Sequence, residues 1–424
     1  MTSVALKSEI QDKPCPDCGT NIHSYREFPS WCPQCEWNLG AEEAGNTSSH
    51  IAKIYQKIGI SQGESVYQSV LNQDPENLRP RLTVSKILAF TVSFTIHLFS
   101  IAMAGLGLYA LSFGWPAILL MLIGASLLWL AWSMRPRFGS MPKDCLSRQD
   151  APALFALSDQ IADKVGSPRA DGIQIDGDYN AAFARVGIPR KTLLVIGLPM
   201  WLVQTWPKRI AILAHEFSHG ANGDTTRGMV IGTALDTLEH LIRFLRPEYD
   251  QDSNFTQMLL HYLLWTVSLL VELVYLGLYH LVWRQSQIAE FLADYLATTV
   301  SGTQAMSDGL QKSSFAVHLE IFANKSIVHT QQSGKQVLTK FVSYFRNLPV
   351  SELERLDRLA HRENARLDAT HPPTRQRLAF LAAHPVAEAS VIVAAEDQSL
   401  IEAELEQLEE TVGRQMISDW APER

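Results

Sequence analysis

The pattern of hydrophobic and polar positions divides the chain into polar ends, long apolar runs and an amphipathic middle. The segment Ile87–Leu111 contains no charged side chain, and Trp115–Trp132 is likewise uncharged. A membrane-spanning helix needs about 20 mainly apolar residues to cross roughly 30 Å of hydrocarbon. Because only a short connection separates the two runs, the pattern predicts a transmembrane hairpin over residues 86–134.

Beyond this hairpin, the hydrophobic spacing predicts a globular domain that contains both helices and short strands. Asp150 and Pro152 are typical of a helix start, and Gly166 is typical of its end. Three strand patterns follow, at Ile173–Ile175, Ala182–Val186 and Thr192–Ile196. A second helix is expected to begin near Thr205. These elements predict an α+β domain over residues 135–385.

The composition agrees with a membrane protein that has soluble parts. The chain is 46% hydrophobic and 19% charged, whereas soluble chains carry about 25% charged residues. A net charge of −8 argues against nucleic acid as the main partner. No signal peptide is expected, because charges, cysteines and prolines occupy the first 30 residues. Basic residues flank the hairpin on one side, so the amino terminus and the domain over residues 135–385 are expected in the cytoplasm, at an inner or plasma membrane.

Four of the five cysteines form two CxxC pairs near the amino terminus, with thirteen residues between the pairs. Each CxxC can form a tight turn that presents two thiolates, and two such turns supply the tetrahedral sulfur site that zinc prefers. Two incidental or redox-active pairs are the alternative. The doubled spacing favours a zinc ribbon over residues 1–40, with one structural Zn²⁺ held by Cys15, Cys18, Cys32 and Cys35.

Two polar segments complete the division of the chain. Residues 41–85 are mixed in character and predict a linker with some helix. Residues 386–424 form an acidic tail, in which Glu402–Glu410 is expected to be a solvated helix. These patterns name no partner for the ribbon or for the tail.

The strongest chemical signal is the segment His215-Glu-Phe-Ser-His219, which matches the HExxH pattern. Residues four apart share one helix face, so His215 and His219 can bind the same metal ion. Glu216 lies beside them and can take a proton from a water molecule whose pKa zinc lowers to about 7. An apolar helix face, and the expected helix breakers Gly220 and Gly223, favour a catalytic Zn²⁺ site over a surface helix with incidental histidines.

A catalytic zinc site needs a third protein ligand. Asn222 and Thr225 stand where the metzincin pattern would place Gly and His, so that extension is absent. Glu290 and Asp294 lie one helical turn apart, so Glu290 can bind the metal while Asp294 accepts a hydrogen bond from a ligating histidine. An isolated pair of this kind is usually a solvated helix face. Because the HExxH segment lacks a third ligand, we favour a metal site over a solvated helix face as the interpretation of Glu290 and Asp294.

Four motifs together resemble the HtpX-like and CAAX prenyl endopeptidase group of membrane gluzincins. They stand in that family's order and are Asn180-Ala-Ala-Phe-Ala184, His215-Glu-Phe-Ser-His219, Glu290-Phe-Leu-Ala-Asp294 and His371-Pro-Pro-Thr-Arg-Gln-Arg377. The resemblance covers about Lys86 to Leu381, and the two apolar spans match the HtpX-like members better. It implies zinc ligation by His215, His219 and Glu290, with Glu216 as the general base. The ribbon, and Ala289 where many relatives have a basic residue, depart from the family pattern and bear on substrate choice and regulation.

The resemblance also implies roles for two further segments. A strand that borders the cleft and binds substrate backbone by strand addition would comprise Asn180, Ala181, Ala182 and Phe183. The segment that follows His371 is expected near the active site, where His371 or Arg377 would stabilise the oxyanion or buttress the metal ligands. The alternative is a Pro-bounded turn that begins a helix over Thr374–Ala383.

A shared metal would constrain how the chain crosses a membrane. If Met258–Trp283 crossed alone, Glu290 would emerge opposite His215, so the number of crossings between them must be even. Gly228–Leu245 can supply the second crossing, although it carries three charged residues that are costly in lipid. We favour this second hairpin because the resemblance implies paired helices. The alternative is that segment 228–283 packs in or along the membrane surface.

Together these patterns predict a mainly α membrane protein with a zinc ribbon, a transmembrane helical hairpin and an α+β zincin-like catalytic domain with a small sheet. The expected activity is zinc-dependent hydrolysis of peptide bonds in misfolded or membrane-associated proteins at the cytoplasmic face. A CAAX-type protease that processes prenylated proteins is the alternative enzyme. A non-hydrolytic adaptor that recruits partners through its ribbon is the alternative from another class.

Overall fold

The computed structural model describes residues 10–25, 28–40, 50–223, 228–246, 255–311, 315–326, 332–367 and 370–420, and these residues are mainly helical. The described strands form a two-stranded sheet near the amino terminus and a three-stranded sheet in the following domain. The main hydrophobic core collects residues from the first helix through to the last. The mainly α character and the small sheet are therefore confirmed.

The amino-terminal segment folds into a β-hairpin followed by a second tight turn. Strands β1 (Ile10–Pro14) and β2 (Asn21–Tyr25) pair in antiparallel fashion. The four cysteines lie on two turns, one between the strands and one after them, and are Cys15, Cys18, Cys32 and Cys35. The two CxxC pairs are thus brought together from two separate turns.

A helix occupies most of the segment that was expected to be a linker. Helix α1 (His50–Leu71) buries Val66 and Val70 in the main core. A Cβ atom at Gly63 would lie only 2.1 Å from the Cβ atom of Ala365, so the glycine lets α1 pack closely against the non-helical segment around Ala365. The linker prediction was right about helix but missed that this helix packs on the rest of the protein.

The two apolar runs form the predicted helical hairpin. Helices α2 (Val84–Leu111) and α3 (Ile118–Ser133) pack side by side. A Cβ atom at Gly107 would lie 2.9 Å from the carbonyl oxygen of Gly124, so the lack of side chains lets the two backbones approach. Small residues serve the same purpose in membrane helix pairs. Helix α2 is long and apolar enough to cross a membrane, and α3 is a shorter apolar helix.

Helix α4 (Pro152–Val165) opens the globular domain and ends at Gly166, whose φ of +75° is the left-handed conformation that glycine adopts readily at helix ends. The prediction that Asp150 caps this helix is wrong, because Asp150 accepts hydrogen bonds from Ser147 instead. Two backbone N–H groups of the first turn donate to the carboxylate of Glu404, at 2.7 and 2.9 Å. A residue some 250 positions away therefore caps the helix.

The three predicted strands form one sheet. β3 (Gly172–Asp176), β4 (Ala181–Val186) and β5 (Lys191–Gly197) stand in the order β3-β5-β4. The central strand β5 pairs parallel with β3 and antiparallel with β4. In the described part of the chain, β4 therefore forms an edge of the sheet. The short helix α5 (Leu198–Val203) comes directly after β5.

The longest described helix joins the apolar part of the chain to the globular core. Helix α8 (Phe255–Ser301) has 47 residues, which at 1.5 Å per residue span about 70 Å. Helix α7 (Thr233–Leu245) follows a π-helical turn and packs beside α8 and against α2. Beyond its last turn, Arg246 forms an ion pair with Glu272 of α8. The described residues of segment 228–283 thus belong to two packed helices beside the α2–α3 hairpin.

The remaining helices complete the domain around the core. They are α6 (Trp206–Ala221), α9 (Thr303–Gln311), α10 (Ala316–Ser326), α11 (Gly334–Arg346), α12 (Val350–Arg362), α13 (Thr374–Ala383), α14 (Ala395–Glu406) and α15 (Glu409–Trp420). The prediction of a solvated helix in the acidic tail is wrong, because Ile401, Leu405, Val412 and Met416 are buried in the main core. Helices α14 and α15 form a C-terminal strap, residues 395–420, that packs on α4 and α11.

Candidate active site

Helix α6 carries the HExxH segment into the core. It begins after Thr205 with a proline in its first turn, as predicted. Phe217 is fully buried, which fixes the rotation of the helix about its axis. His215 and His219 then lie on one side, with their Nε2 atoms 3.3 Å apart. Glu216, which directly follows His215 in the sequence, is half-buried.

Helix α8 packs against α6 and brings Glu290 to the two histidines. Its carboxylate oxygens lie 3.5 Å from His215 Nε2 and 3.5 Å from His219 Nε2. Two atoms bound to one tetrahedral zinc at about 2.0–2.1 Å are roughly 3.4 Å apart. The two histidine nitrogens, and the Glu290 oxygen nearest to each of them, therefore have the spacing expected of ligands of one zinc ion.

A buried ion pair lies behind these donor atoms. Asp294 is fully buried one turn after Glu290, and its Oδ1 lies 3.0 Å from His215 Nδ1, although off the line of a hydrogen bond. Arg377 of α13 donates two hydrogen bonds to Asp294, at 2.7 and 2.6 Å. A carboxylate behind a ligating histidine fixes the orientation of its ring and raises its basicity. Asp294 thus lies behind His215, and Arg377 holds Asp294.

The electrostatics of the pocket favour a cation. Burial would lower the pKa of His215, but Asp294 and Glu290 outweigh that effect and raise it to about 10. Burial opposes ionisation of Glu290, yet the neighbouring histidines hold its pKa well below the usual range. The carboxylates of Glu216, Glu290 and Asp294 face one guanidinium, that of Arg377. This excess of negative charge, with two imidazole nitrogens and a carboxylate in reach, fits a divalent zinc ion.

His371 lies at the open side of the same cluster. Its Nδ1 is 2.6 Å from Glu290 Oε2, and its side chain is 51% exposed. His215, Glu290 and His371 form a group whose potential ligand atoms all lie within 4.8 Å of one another. The expected helix does begin at Thr374, so the Pro-bounded turn and the proximity to the site are both present.

Strand β4 lies beside α6. The ring centroids of Phe183 and Phe217 are 5.5 Å apart, which ties the strand to the helix that carries the histidines. Ala181 and Ala182 belong to the same strand, and Asn180 directly precedes it. The four residues expected to bind substrate are thus on or next to an edge strand that packs on the HExxH helix.

Gly220 has a different role from the predicted one. The helix continues through this residue to Ala221, so Gly220 does not break it. A Cβ atom at Gly220 would lie 2.6 Å from the ring of Phe183 and 2.3 Å from Ser167 Oγ. Glycine therefore permits the close approach of strand and helix without displacing these two side chains. A glycine directly after a helical motif was the only signal of this contact.

The four ribbon cysteines form the second group of potential metal ligands. Cys15 Sγ lies 3.6 Å from Cys35 Sγ, and Cys18 Sγ lies 3.6 Å from Cys32 Sγ. Thiolates bound to one zinc at about 2.3 Å are roughly 3.8 Å apart. The cluster is compatible with a zinc ribbon.

A helix-borne pair of histidines, a glutamate from a second helix and a buried carboxylate behind them define the metallopeptidase class. The sequence profile of peptidase family M48 matches residues 149–384, more than half of the chain, and the chain belongs to that family. No curated protein and no solved structure matches the chain. Members of the family are zinc-dependent peptidases, so peptides or proteins are the substrates.

Proposed function

We propose that this protein is a membrane-bound zinc endopeptidase in which His215, His219 and Glu290 hold the catalytic metal. The observation that carries the proposal is the spacing of these donors: the two Nε2 atoms are 3.3 Å apart, and each lies 3.5 Å from one of the two carboxylate oxygens of Glu290. The proposed ligand set includes His219 in preference to His371. These separations match ligands of one zinc ion, whereas His371 Nδ1 at 2.6 Å from Glu290 is at hydrogen-bond distance.

Zinc, when bound, supplies a Lewis acid that acidifies water and polarises a carbonyl group. Glu216 takes the proton from the attacking water and returns it to the leaving amine. Arg377 is buried and paired with Asp294, which supports a buttressing role for this residue. His371 is half-exposed at the mouth of the site, which supports a contact with the oxyanion.

The free edge of β4 is the proposed site for the substrate backbone. An extended peptide can add to an exposed strand edge through main-chain hydrogen bonds, while its side chains occupy alternate pockets. Residues Asn180–Phe183 would supply this edge next to the HExxH helix. Such binding requires an unfolded stretch of substrate, which agrees with misfolded proteins as targets.

Membrane attachment through α2, α3, α7 and α8 is the second part of the proposal. By length and composition, α2 and α8 are able to cross a membrane, and many of their large apolar side chains are exposed. Helix α7 packs beside α8, and Arg246 after its end pairs with Glu272, while Ile231 before its start lies in one cluster with Leu278. The two helices therefore run in opposite directions, which supports an even number of crossings between His215 and Glu290. Its exposed Asp236 and Glu239 would have to face water or headgroups.

We propose the domain division made above: ribbon 1–40, linker 41–85, hairpin 86–134, peptidase 135–385 with the membrane-associated insertion 228–283, and acidic C-terminal tail 386–424. The ribbon and the catalytic domain lie in the cytoplasm in this proposal, at an inner or plasma membrane. Protease accessibility of a tag inserted after Arg246 tests the topology. Cleavage only from the non-cytoplasmic side is expected, and cleavage from the cytoplasmic side contradicts the second hairpin.

Loss of the general base is the direct test of the activity. Glu216→Gln is expected to retain zinc and to lower the rate of casein cleavage by about 10²–10⁴-fold, the typical contribution of a general base. Glu388→Gln, which changes an exposed glutamate outside the site, is the matched control and should cleave like the wild type. Wild-type turnover by Glu216→Gln would overturn the assignment. Cleavage restricted to prenylated substrates would favour the CAAX-type alternative.

A further inference from the structure

One face of α12 is the docking surface of the ribbon. Ser351, Arg355, Arg358 and Arg362 recur at three- or four-residue spacing, so they lie on the same side of the helix. Trp31 Nε1 donates to the backbone carbonyl of Ser351 at 3.1 Å. The guanidinium of Arg358 lies 5.2 Å from the centre of the Trp31 ring. The ribbon is therefore packed onto the peptidase domain and is not a free module.

Arginines of this face bind backbone carbonyl groups of the second cysteine turn. Arg358 donates to the carbonyl of Pro33 at 2.7 Å, and Arg355 donates to the carbonyl of Leu39 at 3.3 Å. Arg355 is fully buried, so its contact with Leu39 replaces hydration that the arginine has lost. These bonds depend on the path of the backbone from Pro33 to Leu39, which is set by the turn that carries Cys32 and Cys35.

Glu36 distinguishes this turn from the first one. The residue after the second cysteine of each pair has a left-handed backbone, with φ of +73° at Gly19 and +59° at Glu36. Glycine adopts this conformation without strain, whereas a glutamate there is uncommon. The carboxylate of Glu36 forms ion pairs with Arg358 and Arg362. The Glu36 side chain thus gains two ion-pair partners on α12, at a position where glycine would adopt the left-handed backbone with less strain.

The docked helix leads directly to the active site. Helix α12 packs directly against α13, which begins at Thr374. Helix α13 carries Arg377, which holds Asp294 beside His215. A series of direct contacts therefore joins the second cysteine turn to a proposed zinc ligand.

We propose that Glu36 is a positioning residue: through Arg358 and Arg362 it anchors α12, and thereby fixes the segment that carries His371 and Arg377. This inference rests on the proposed peptidase function. It makes the ribbon a part of the active enzyme and not only a recruiting module. Metal in the ribbon would then matter for catalysis because it shapes the turn from Cys32 to Leu39.

Two substitutions at Glu36 test the inference in the full-length protein. Glu36→Gln removes the charge, and Glu36→Gly also relieves the left-handed backbone. Both are expected to keep both zinc ions, to lower kcat for casein about three- to tenfold with little change in KM, and to speed hydrogen exchange in residues 374–383. Asp17→Asn, which removes the carboxylate of the first cysteine turn, is the matched control and should leave all three measurements unchanged.

A charge reversal adds a readout that a general loss of stability would not reproduce. Glu36→Arg should lower kcat further, and combining it with Arg362→Glu should restore most of the loss. Wild-type kcat and exchange in both Glu36→Gln and Glu36→Gly would overturn the inference. If the wild-type protein shows no metal-dependent cleavage, the proposed function fails, whereas the exchange comparison still decides whether Glu36 orders residues 374–383.

Discussion

The two groups of potential metal ligands in this protein are built in opposite ways. The ribbon thiolates come from two copies of one short turn, within 21 residues of sequence from Cys15 to Cys35. The donors of the proposed catalytic site come from α6 and α8, and His371 lies beside them on a third segment. The ribbon group is formed by thiolates alone, whereas the catalytic group is backed by the buried pair of Asp294 and Arg377.

This difference separates a structural site from a catalytic one. Four protein ligands close a zinc site, whereas a catalytic zinc keeps a position for water or substrate. The ribbon supplies four thiolates, and the proposed catalytic group supplies His215, His219 and Glu290, with the half-exposed His371 beside them. The two sites should therefore respond differently when a ligand is removed.

Removal of one ligand from each group should have the largest effect. His219→Ala is expected to lower the zinc content from two ions to one per chain and to reduce casein cleavage to background. Cys15→Ser should also remove one zinc, but the catalytic ion should remain and cleavage should fall by no more than about tenfold. Metal analysis of both purified variants makes the comparison. Loss of all cleavage in Cys15→Ser, with the catalytic zinc retained, would contradict the separation of the two sites.

Removal of the buried guanidinium should cost stability on the catalytic side. Arg377→Met leaves Asp294 charged and buried without the guanidinium that donates two hydrogen bonds to it, so the free energy of unfolding is expected to fall by about 3–5 kcal/mol. Arg375→Met changes an exposed arginine of the same helix and should stay within about 0.5 kcal/mol. Thermal unfolding in detergent compares them. Equal midpoints would show that Arg377 does not hold the site together.

A smaller effect is expected at the C-terminal strap, which supports the HExxH helix indirectly, through α4. Glu404 caps α4, which packs on α6. Glu404→Ala removes this cap and should cost about 1 kcal/mol, the typical contribution of a helix cap. Glu388→Ala is the control without a cap, and denaturant unfolding measures the difference. A larger loss at Glu388 would contradict this role of the strap.

The sequence predicted the ribbon cluster and the HExxH helix because both depend on local spacing. Two cysteines in one turn, or two histidines on one helix face, need no knowledge of distant residues. Glu290 was identified only because HExxH lacked a third ligand and because four motifs resembled a family. Its distances to the histidines follow from the packing of α6 on α8, which no local pattern contains.

The wrong predictions all concern contacts between distant segments. Asp150 had the residue type of a helix cap, but Glu404 provides the cap from the other end of the chain. The acidic tail also contains apolar residues at helical spacing that are buried in the fold, among them Ile401 and Leu405. Glu36 stands where the first cysteine turn has Gly19. This difference is visible in the sequence, but the ion pair with Arg358 of α12 that explains it depends on the fold.

Anomalous diffraction at the zinc absorption edge, from crystals of the full-length wild-type protein, tests the central claim most directly. Two peaks are expected, one among the four ribbon thiolates and one between His215, His219 and Glu290. The second peak should lie about 2.0–2.2 Å from both Nε2 atoms and from a Glu290 oxygen. A peak bound by His371 in place of His219, or no peak at this position, would contradict the proposed catalytic site.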